Sequence, residues 1–342
     1  MIQSYFKIAF LSLALLIGCS PRAEYYVVNQ IKDGKYDSEY PIQPVSDFLA
    51  KITENTKLLS VLVFYENYSF AANSRLTKKD LTAGSIKSKA LKKTYLNRPA
   101  TGTATVIFYE KRKIALLTCA HIVNFPDTVY TYFQDKLGSD TEYVASVTCK
   151  TRQTNNVIDL PQVKDFEILA LDEDLDLAII GKELSINPSF PIQVFNYPIG
   201  KAEELEWGTH VYLIGFPRGK KMITSCIVSR PGSLNFLVDA AMPRGISGGI
   251  ILAMRDGVPN FELVGMANAV SAETKYFLSP NRKLNPSEYD LHNPYDDKSF
   301  VKIQEEIYYG VTHAIAVESI VQFVNEHKAR LKENGYDIDH LF

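Results

Sequence analysis

Three short segments of the chain carry the residue types that nucleophilic hydrolysis needs. They are residues 117–121 (Leu-Thr-Cys-Ala-His), 174–180 (Asp-Leu-Asp-Leu-Ala-Ile-Ile) and 245–249 (Gly-Ile-Ser-Gly-Gly). A serine hydroxyl is a poor nucleophile at its own pKa, so it needs an adjacent base, and a carboxylate fixes the tautomer of a histidine base. The order His, Asp, Ser along the chain therefore predicts a catalytic triad assembled from distant segments.

The glycines around Ser247 predict a sharp turn whose amides can point at a developing oxyanion. The same five residues also fit the nucleophile elbow of α/β-hydrolases, in which a helix follows the serine and Asp and His come later. Here two isoleucines and a leucine follow Gly249, and such a run favours a strand. His121 and Asp176 also precede the serine, so the sequence argues against the α/β-hydrolase interpretation.

Further segments occur in a matching order along the chain. They are residues 102–107 (Gly-Thr-Ala-Thr-Val-Ile), 208–217 (Gly-Thr-His-Val-Tyr-Leu-Ile-Gly-Phe-Pro), 239–241 (Asp-Ala-Ala) and 264–268 (Val-Gly-Met-Ala-Asn). With the three segments above, they resemble the trypsin-like serine proteases, and in particular the HtrA/Deg-like branch. The resemblance runs from about residue 58 to residue 323. It implies an all-β fold with minor helices, in which two packed antiparallel β-barrels of the chymotrypsin type are followed by a C-terminal helix.

Short strand-like runs separated by turn residues also favour two barrels. The first set comprises residues 104–109, 113–118, 128–133, 142–148, 166–171 and 177–180, and the second 210–216, 222–229, 234–239, 249–253, 261–270 and 310–316. His121 and Asp176 fall in the first set and Ser247 in the second, so the triad is expected in the cleft between the barrels. Helical spacing of apolar residues predicts an amphipathic helix over residues 317–332.

The resemblance implies that Ser247 is the nucleophile, His121 the general base and then acid, and Asp176 the residue that orients the imidazole. Asp172 and Asp174 are alternatives for the third role. Asp176 is preferred because it directly precedes Leu-Ala, as in the family. The backbone amides of Gly245 and Ser247 are expected to form the oxyanion hole.

The substrate pocket is expected to be apolar. The trypsin branch has an acid six residues before the serine, where this chain has Ala241, which predicts a preference for small or medium apolar side chains. The predicted lining residues are Ala241, Met266, Ala267 and Asn268.

Two residues depart from the family pattern, because Ile246 replaces the usual Asp or Asn and Ile250 the usual Pro. We expect no cofactor and no metal site, since the sequence has neither Cys-x-x-Cys nor His-Glu-x-x-His.

The N-terminus is predicted to be a lipoprotein signal peptide. An apolar run over residues 8–17 ends in Leu-Ile-Gly-Cys at 16–19, which resembles a bacterial lipobox. Cleavage after residue 18 would leave Cys19 to be acylated. The alternative is an ordinary secretory signal with an incidental cysteine. By resemblance, Ser20 after the cysteine favours anchoring to the outer membrane, facing the periplasm.

The remaining chain is predicted to be one peptidase domain over residues 46–335, reached by a membrane tether at 19–45. Within it we expect a first barrel at about 58–181, a second at about 205–316 and an insertion at 271–309, with a tail at 336–342. Residues 75–98 are predicted to be a solvated loop, with attraction of their basic side chains to anionic lipid headgroups as the alternative. A short helix is expected from Phe300. No PDZ domain is expected after the C-terminal helix, although HtrA-like proteins usually have one.

The composition and net charge narrow the classes of function that this chain can have. The chain has 342 residues, of which 46% are hydrophobic, and a net charge of −2, so it can form a large core and shows no sign of binding nucleic acid. The sequence predicts a membrane-anchored serine endopeptidase that cleaves cell-envelope polypeptides through an acyl-enzyme. The alternative is a catalytically silent trypsin-fold scaffold. Oligomeric state and the disulfide pairing of Cys119, Cys149 and Cys226 are left open.

Overall fold

The first of two β units is a seven-stranded antiparallel sheet. The computed structural model describes residues 32–135, 138–160, 163–186, 188, 190–240, 244–280 and 299–339. The strands of the first sheet are β1 (Thr56–Ser69), β2 (Lys92–Glu110), β3 (Lys113–Cys119), β4 (Thr128–Gln134), β5 (Asp140–Val157), β6 (Glu167–Asp172) and β7 (Leu177–Glu183). Their order in the sheet is β4-β5-β1-β2-β3-β7-β6, so β3 and β7 are direct neighbours.

The second β unit is a closed antiparallel barrel. Its strands are β8 (His210–Gly215), β9 (Met222–Arg230), β10 (Asn235–Val238), β11 (Ile250–Met254), β12 (Phe261–Pro280) and β13 (Ser299–Ala316). They pair in the order β10-β13-β12-β11-β8-β9, and the pairing of β9 with β10 closes the barrel. β12 and β13 extend beyond the barrel as a long two-stranded ribbon, in which Leu278 lies opposite Val301.

Four α-helices connect and cover the sheets in the described part of the chain. They are α1 (Ser46–Thr53), α2 (Ala83–Lys89), α3 (Ala120–Val123) and α4 (Val317–Glu333). The buried face of α4 includes Ile320, Phe323 and Val324, and the helix packs against β12, β13 and β6. No helix in the described ranges has the length and apolar character needed to cross a membrane.

One hydrophobic core spans both β units. Leu116 and Ile180 from the first sheet and Leu213 and Leu252 from the barrel have no exposed surface and belong to the same cluster. Each fully buried side chain of this size contributes about 1.5–3 kcal/mol relative to an exposed one. The shared core fixes the position of β3 and β7 relative to the barrel, which sets the frame for residues at their ends.

The predicted fold class is confirmed. The chain has a chymotrypsin-like fold, mostly β-strand, with two packed β units and a C-terminal helix that ends at Glu333. Only the second unit is a closed barrel, because in the described residues β4 and β6 form the two free edges of the first sheet.

Two local predictions are wrong. Residues 75–98 are not simply a loop, because they contain α2 and the start of β2, and Ile86 of this segment packs in a small second core beside Tyr68 and Phe70. No helix starts at Phe300, which lies in β13. The aromatic and β-branched residues there favour a strand, and pairing with β12 supplies the hydrogen bonds. The middle of the predicted insertion, residues 281–298, lies outside the described residues.

Candidate active site

His121 is held at the end of β3. The strand runs directly into the single turn of α3, whose residues Ala120, Ile122 and Val123 are buried, so the backbone on both sides of His121 is fixed. The imidazole points outward, and its side chain is 48% exposed. A base in this position is fixed by its neighbours and still accessible to a substrate.

Asp176 binds both the backbone and the ring of His121. Its Oδ1 accepts the His121 amide at 2.8 Å, and its Oδ2 lies 2.7 Å from Nδ1 of the imidazole. The backbone carbonyl of Asp176 also accepts the amide of Ala120 at 3.1 Å. These contacts fix the orientation of the ring and leave Nε2 directed away from the carboxylate, which is the arrangement of a histidine base and its orienting acid.

The turn before β7 explains why Asp176, rather than its neighbours, occupies this place. Asp176 has a φ of +55°, a left-handed conformation that Asp adopts more readily than most residues. The carboxylate of Asp172 accepts the amide of Leu175 within the same turn, at 2.8 Å, and Asp174 is exposed. Of the three candidate carboxylates, Asp176 is therefore the one paired with His121.

The serine loop of the barrel is clamped by β2 of the first sheet. Thr103 donates its amide to the carbonyl of Ser247 at 2.8 Å and its hydroxyl to the carbonyl of Gly245 at 3.0 Å. The same hydroxyl accepts the amide of Phe216 at 2.9 Å, and Thr103 is fully buried. The loop that carries Ser247 is thus held by hydrogen bonds across the junction between the two β units.

The carbonyl of Ser247 and the side chain of Ile122 both lie close to Gly102. A Cβ atom added to Gly102 would stand 2.2 Å from Cδ1 of Ile122, the residue after His121, and 3.1 Å from the carbonyl oxygen of Ser247. In the described residues the Ser247 hydroxyl forms no hydrogen bond to the imidazole. Hydrogen bonds between nucleophile and base commonly tighten only when substrate binds.

The backbone around Ser247 offers donors for an oxyanion. Gly245 has a φ of +104° and Gly248 a φ of +86°, which only glycine adopts without strain. Within the described ranges, the amides of Gly245 and Ser247 donate to no acceptor of the protein, although Gly245 is buried. Buried amides are almost always paired. Two amides that have no acceptor among the described residues, beside a candidate nucleophile, fit the donors of an oxyanion hole.

The predicted pocket residues differ in how far they are buried. Met266 and Ala267 are buried in β12, whereas Asn268 is half-buried and presents accessible surface. The backbone of Ala267 bonds the serine loop, since its carbonyl accepts the amide of Gly248 and its amide donates to Gly249, both at 2.7 Å. Ala241 lies outside the described residues.

The unusual residue before the serine is part of the core. Ile246 is 1% exposed, and its Cδ1 lies 2.7 Å from where a Cβ on Gly215 would stand. An aspartate at this place would bury a carboxylate among apolar side chains. Ile250 begins β11 and is also buried, so both departures from the family pattern serve packing.

All three described cysteines are free thiols, so the open question of disulfide pairing is answered in favour of none among Cys119, Cys149 and Cys226. Cys119, His121 and Asp176 form a group whose possible metal-ligating atoms lie within 4.8 Å of one another. Nδ1 of His121 and the Asp176 carboxylate are already joined by a hydrogen bond, which fits a catalytic pair better than a cation site.

Sequence reasoning missed the role of Thr103. It recognised the strand that contains this residue, but the three bonds that Thr103 makes to the serine loop and to Phe216 join residues more than a hundred positions apart. A hydroxyl residue directly after Gly102 was the only local signal.

We expect Thr103→Val to lower the free energy of unfolding by about 2–6 kcal/mol. The change leaves the Gly245 carbonyl and the Phe216 amide buried without their hydroxyl partner, at about 1–3 kcal/mol each. Urea denaturation measures the loss. Thr103→Ser keeps the hydroxyl and is the control, with an expected loss of about 1 kcal/mol for the removed methyl group. Equal losses in the two variants would show that the hydroxyl does not hold the loop.

Part of the chain matches the model of a known protein family. Residues 102–266, just under half of the chain, match the family model of the trypsin-like peptidase domain. This match supports a serine endopeptidase, a hydrolase of peptide bonds. A search of curated proteins found no significant match.

Two solved structures are similar at low identity. One is a thermostable serine protease, AL20, from an extremophilic microorganism, with 10% identity and a TM-score of 0.35, covering 80% of this chain and 97% of that one. The other is a Glu endopeptidase in complex with MPD, with 15% identity and a TM-score of 0.35, covering 78% of this chain and 90% of that one.

Proposed function

We propose that this endopeptidase works through a triad of Ser247, His121 and Asp176. The single observation that supports the proposal most strongly is the double hydrogen bond of Asp176 to the amide and ring of His121. It is the arrangement that a general base needs, and the sequence independently points to both residues. The clamp of Thr103 on the Ser247 loop, at the same junction of the β units, supports the choice of nucleophile.

The mechanism follows from the positions of these groups. His121 Nε2 removes the proton of the Ser247 hydroxyl as its oxygen attacks the scissile carbonyl carbon, while Asp176 stabilises the imidazolium that forms. The amides of Gly245 and Ser247 hold the resulting oxyanion, at about 3–4 kcal/mol per donor. The imidazolium then protonates the leaving amine, which yields the acyl-enzyme. Water, activated by the same histidine, hydrolyses this ester and restores the hydroxyl.

The alternative function is a trypsin-fold scaffold without catalysis. The observation in its favour is that the Ser247 hydroxyl is not bonded to His121 in the described structure. Degradation of casein by the wild-type protein, compared with Ser247→Ala, separates the two functions. Equal degradation by both proteins would contradict Ser247 as the nucleophile. A folded wild-type protein that degrades no unfolded substrate would favour the scaffold.

We also propose that the enzyme is an HtrA-like lipoprotein, anchored to the outer membrane through acylated Cys19 and acting on periplasmic polypeptides. Support comes from the apolar run that ends in Leu-Ile-Gly-Cys. Cys19 lies outside the described residues. Several acyl chains on one residue hold a protein firmly to a bilayer.

The anchor predicts a change in partitioning on a single substitution. In a detergent phase-separation assay of cells producing each protein, the wild type is expected in the detergent phase and Cys19→Ala in the aqueous phase. Cys149→Ala changes a cysteine of the peptidase domain and is expected to behave as the wild type. Aqueous partitioning of both the wild type and Cys19→Ala would contradict the anchor.

Cleavage is expected to prefer a small or medium apolar residue before the scissile bond. The reason is Ala241, which stands where an acid would select Lys or Arg. A profile of cleaved peptides from a mixed library measures the preference. A profile dominated by basic residues at that position would refute the prediction.

A further inference from the structure

A strongly basic segment of the first β unit has no part in the candidate active site. Residues 75–98 contain eight lysines and arginines and one acidic residue, which gives a net charge of +7, whereas the whole chain has a net charge of −2. Such an uneven distribution of charge indicates a partner of negative sign. The basic surface consists of the eight exposed cations Arg75, Lys78, Lys79, Lys87, Lys89, Lys92, Lys93 and Arg98.

The segment is held on the sheet by a core of its own. Leu81 and Ile86 are buried beside Tyr68 in the second core. Lys89, at the end of α2, donates to the backbone carbonyl of Asp80 at 2.9 Å, which joins the helix to the turn before it. The cations on the outer side of this core therefore have defined positions on one surface.

Three lysines of the basic surface have no acidic partner. Lys79, Lys87 and Lys92 are exposed, and none of them forms an ion pair with a carboxylate of the described residues. Glu66, on the neighbouring strand β1, pairs with Lys93 instead, at 2.6 Å. Charges that are not neutralised within the protein are the ones that attract an anionic partner.

Large apolar side chains are exposed among these cations. Leu91 is 74% exposed and Tyr95 is 73% exposed, and they flank Lys92 and Lys93 in the sequence. The next residue, Leu96, is also exposed. Aliphatic and aromatic side chains beside lysines are typical of surfaces that lie at the interface of a bilayer, where cations meet phosphate groups and apolar side chains enter the acyl boundary. A soluble polyanion offers no such apolar environment.

We propose that the basic surface binds the anionic phospholipid headgroups of the membrane to which the chain is anchored. The proposal rests on the proposed anchor at Cys19 for the place of this contact in the cell. An anchor keeps the bilayer at a high effective concentration beside the protein, so a weak contact is sufficient. A lipid chain combined with a cluster of basic residues is a common pair of signals for membrane attachment.

The contact leaves the candidate active site accessible. Lys92 and Gly102 are ten residues apart on the continuous strand β2, which is about 30 Å at a rise of about 3.3 Å per residue. Gly102 lies beside the carbonyl of Ser247. The basic surface is therefore well separated from the site, and its lysines can be changed without an expected effect on kcat for a soluble peptide.

Binding to vesicles tests the proposal on the full chain with Cys19→Ala, which removes the residue that would be acylated. We expect vesicles of phosphatidylcholine with phosphatidylglycerol to bind this protein, and vesicles of phosphatidylcholine alone to bind it far more weakly. Raising sodium chloride from about 0.1 M to about 1 M shortens the Debye length from about 10 Å to about 3 Å and is expected to release most of the protein. Equal binding to both kinds of vesicle would overturn the proposal.

Lysine substitutions on the same Cys19→Ala background locate the contact. The triple variant Lys79→Gln, Lys87→Gln and Lys92→Gln is expected to bind the anionic vesicles about 100-fold more weakly, because each lysine near an anionic surface contributes about fivefold. Any binding by the apolar run at residues 8–17 is common to all variants. Binding of the protein to a polyglutamate resin but not to the anionic vesicles would identify an acidic polypeptide as the partner and would also overturn the proposal.

A matched control removes the same charge elsewhere. The triple variant Lys51→Gln, Lys164→Gln and Lys328→Gln changes exposed lysines outside the basic surface. Its binding to the anionic vesicles is expected to fall by less than about fivefold, since charges distant from the bilayer are screened. Equal losses in the two triple variants would show that only the net charge matters, which contradicts a defined surface.

The one tryptophan of the chain reports which surface approaches the bilayer. Trp207 is exposed and precedes β8 in the other β unit. Brominated lipids in the anionic vesicles are expected to leave its fluorescence unchanged in Cys19→Ala and to quench part of the emission when Tyr95→Trp is added. Quenching of Trp207, or no quenching with Tyr95→Trp, would overturn the proposal.

These assays depend neither on turnover nor on acylation. Absence of hydrolysis by the wild type would contradict the proposed function alone, and aqueous partitioning of the wild type would contradict the anchor alone.

Discussion

Ser247→Ala and His121→Ala are each expected to lower kcat by on the order of 10⁶-fold, and the double variant by little more. The members of a triad act as one unit, so loss of either the nucleophile or the base removes the whole covalent pathway. Asp176→Asn is expected to lose about 10⁴-fold, because an amide favours the wrong tautomer of His121. Steady-state hydrolysis of casein or of a fluorogenic peptide measures each loss.

The control for these variants is a measurement of their thermal stability. His121 and Ser247 are partly exposed, and their side chains fill no core, so thermal unfolding of the alanine variants is expected to match the wild type closely. Asp174→Asn, a change in the same turn as Asp176 at an exposed carboxylate, is expected to keep wild-type kcat. If Asp174→Asn lost as much activity as Asp176→Asn, the choice between the two aspartates would be wrong.

Gly248→Ala is expected to damage both stability and activity. Its φ is +86°, and a Cβ there would stand 1.9 Å from the carbonyl oxygen of Thr103 and 2.9 Å from the Thr118 hydroxyl. Since Thr118 donates to that carbonyl, neither group can move without breaking a buried hydrogen bond. We expect a loss of more than about 4 kcal/mol in the free energy of unfolding. Displacement of the serine loop by about 1 Å is enough to lower kcat about 100-fold.

Gly208→Ala is the control that separates the cost of backbone strain from the cost of a steric clash at Gly248. Gly208 has a φ of +81°, nearly that of Gly248, but nothing lies within 4 Å of a Cβ placed there. Only the left-handed strain of about 1–2 kcal/mol is expected, with unchanged kcat. Chemical denaturation and steady-state kinetics on both variants make the comparison. Similar losses in the two variants would contradict a tight contact between the serine loop and β2.

The local features of the sequence were sufficient to predict most strands and to single out the residues of the candidate triad, of which the structure pairs His121 with Asp176. Short β-branched runs between turn residues correspond to strands of both β units. The alternation of side chains along a strand and its β-branched composition can both be recognised within the segment itself. Ser247 is recognisable from its glycines, and Asp176 from the apolar strand that follows it. These signals lie within a few residues of the group that they identify.

Features that depend on distant partners could not be predicted in the same way. The bond from Thr103 to Gly245 joins residues 142 positions apart, and the contact of Cys119 with Ala267 joins residues 148 apart. A cysteine before Ala120 looks like a small core residue until the barrel packs against it. The two open edges of the first sheet and the ribbon formed by β12 and β13 likewise depend on strand pairing.

The measurement that tests the central claim most directly is labelling with a fluorophosphonate, followed by identification of the modified residue by mass spectrometry. The probe reacts when a serine oxygen attacks phosphorus and displaces fluoride, which requires the same activation by His121 as peptide cleavage. We expect a single label on Ser247 of the wild-type protein, no label in Ser247→Ala and a strongly reduced rate in His121→Ala. A folded, unlabelled wild-type protein, or a label on another residue that persists in Ser247→Ala, would contradict the account.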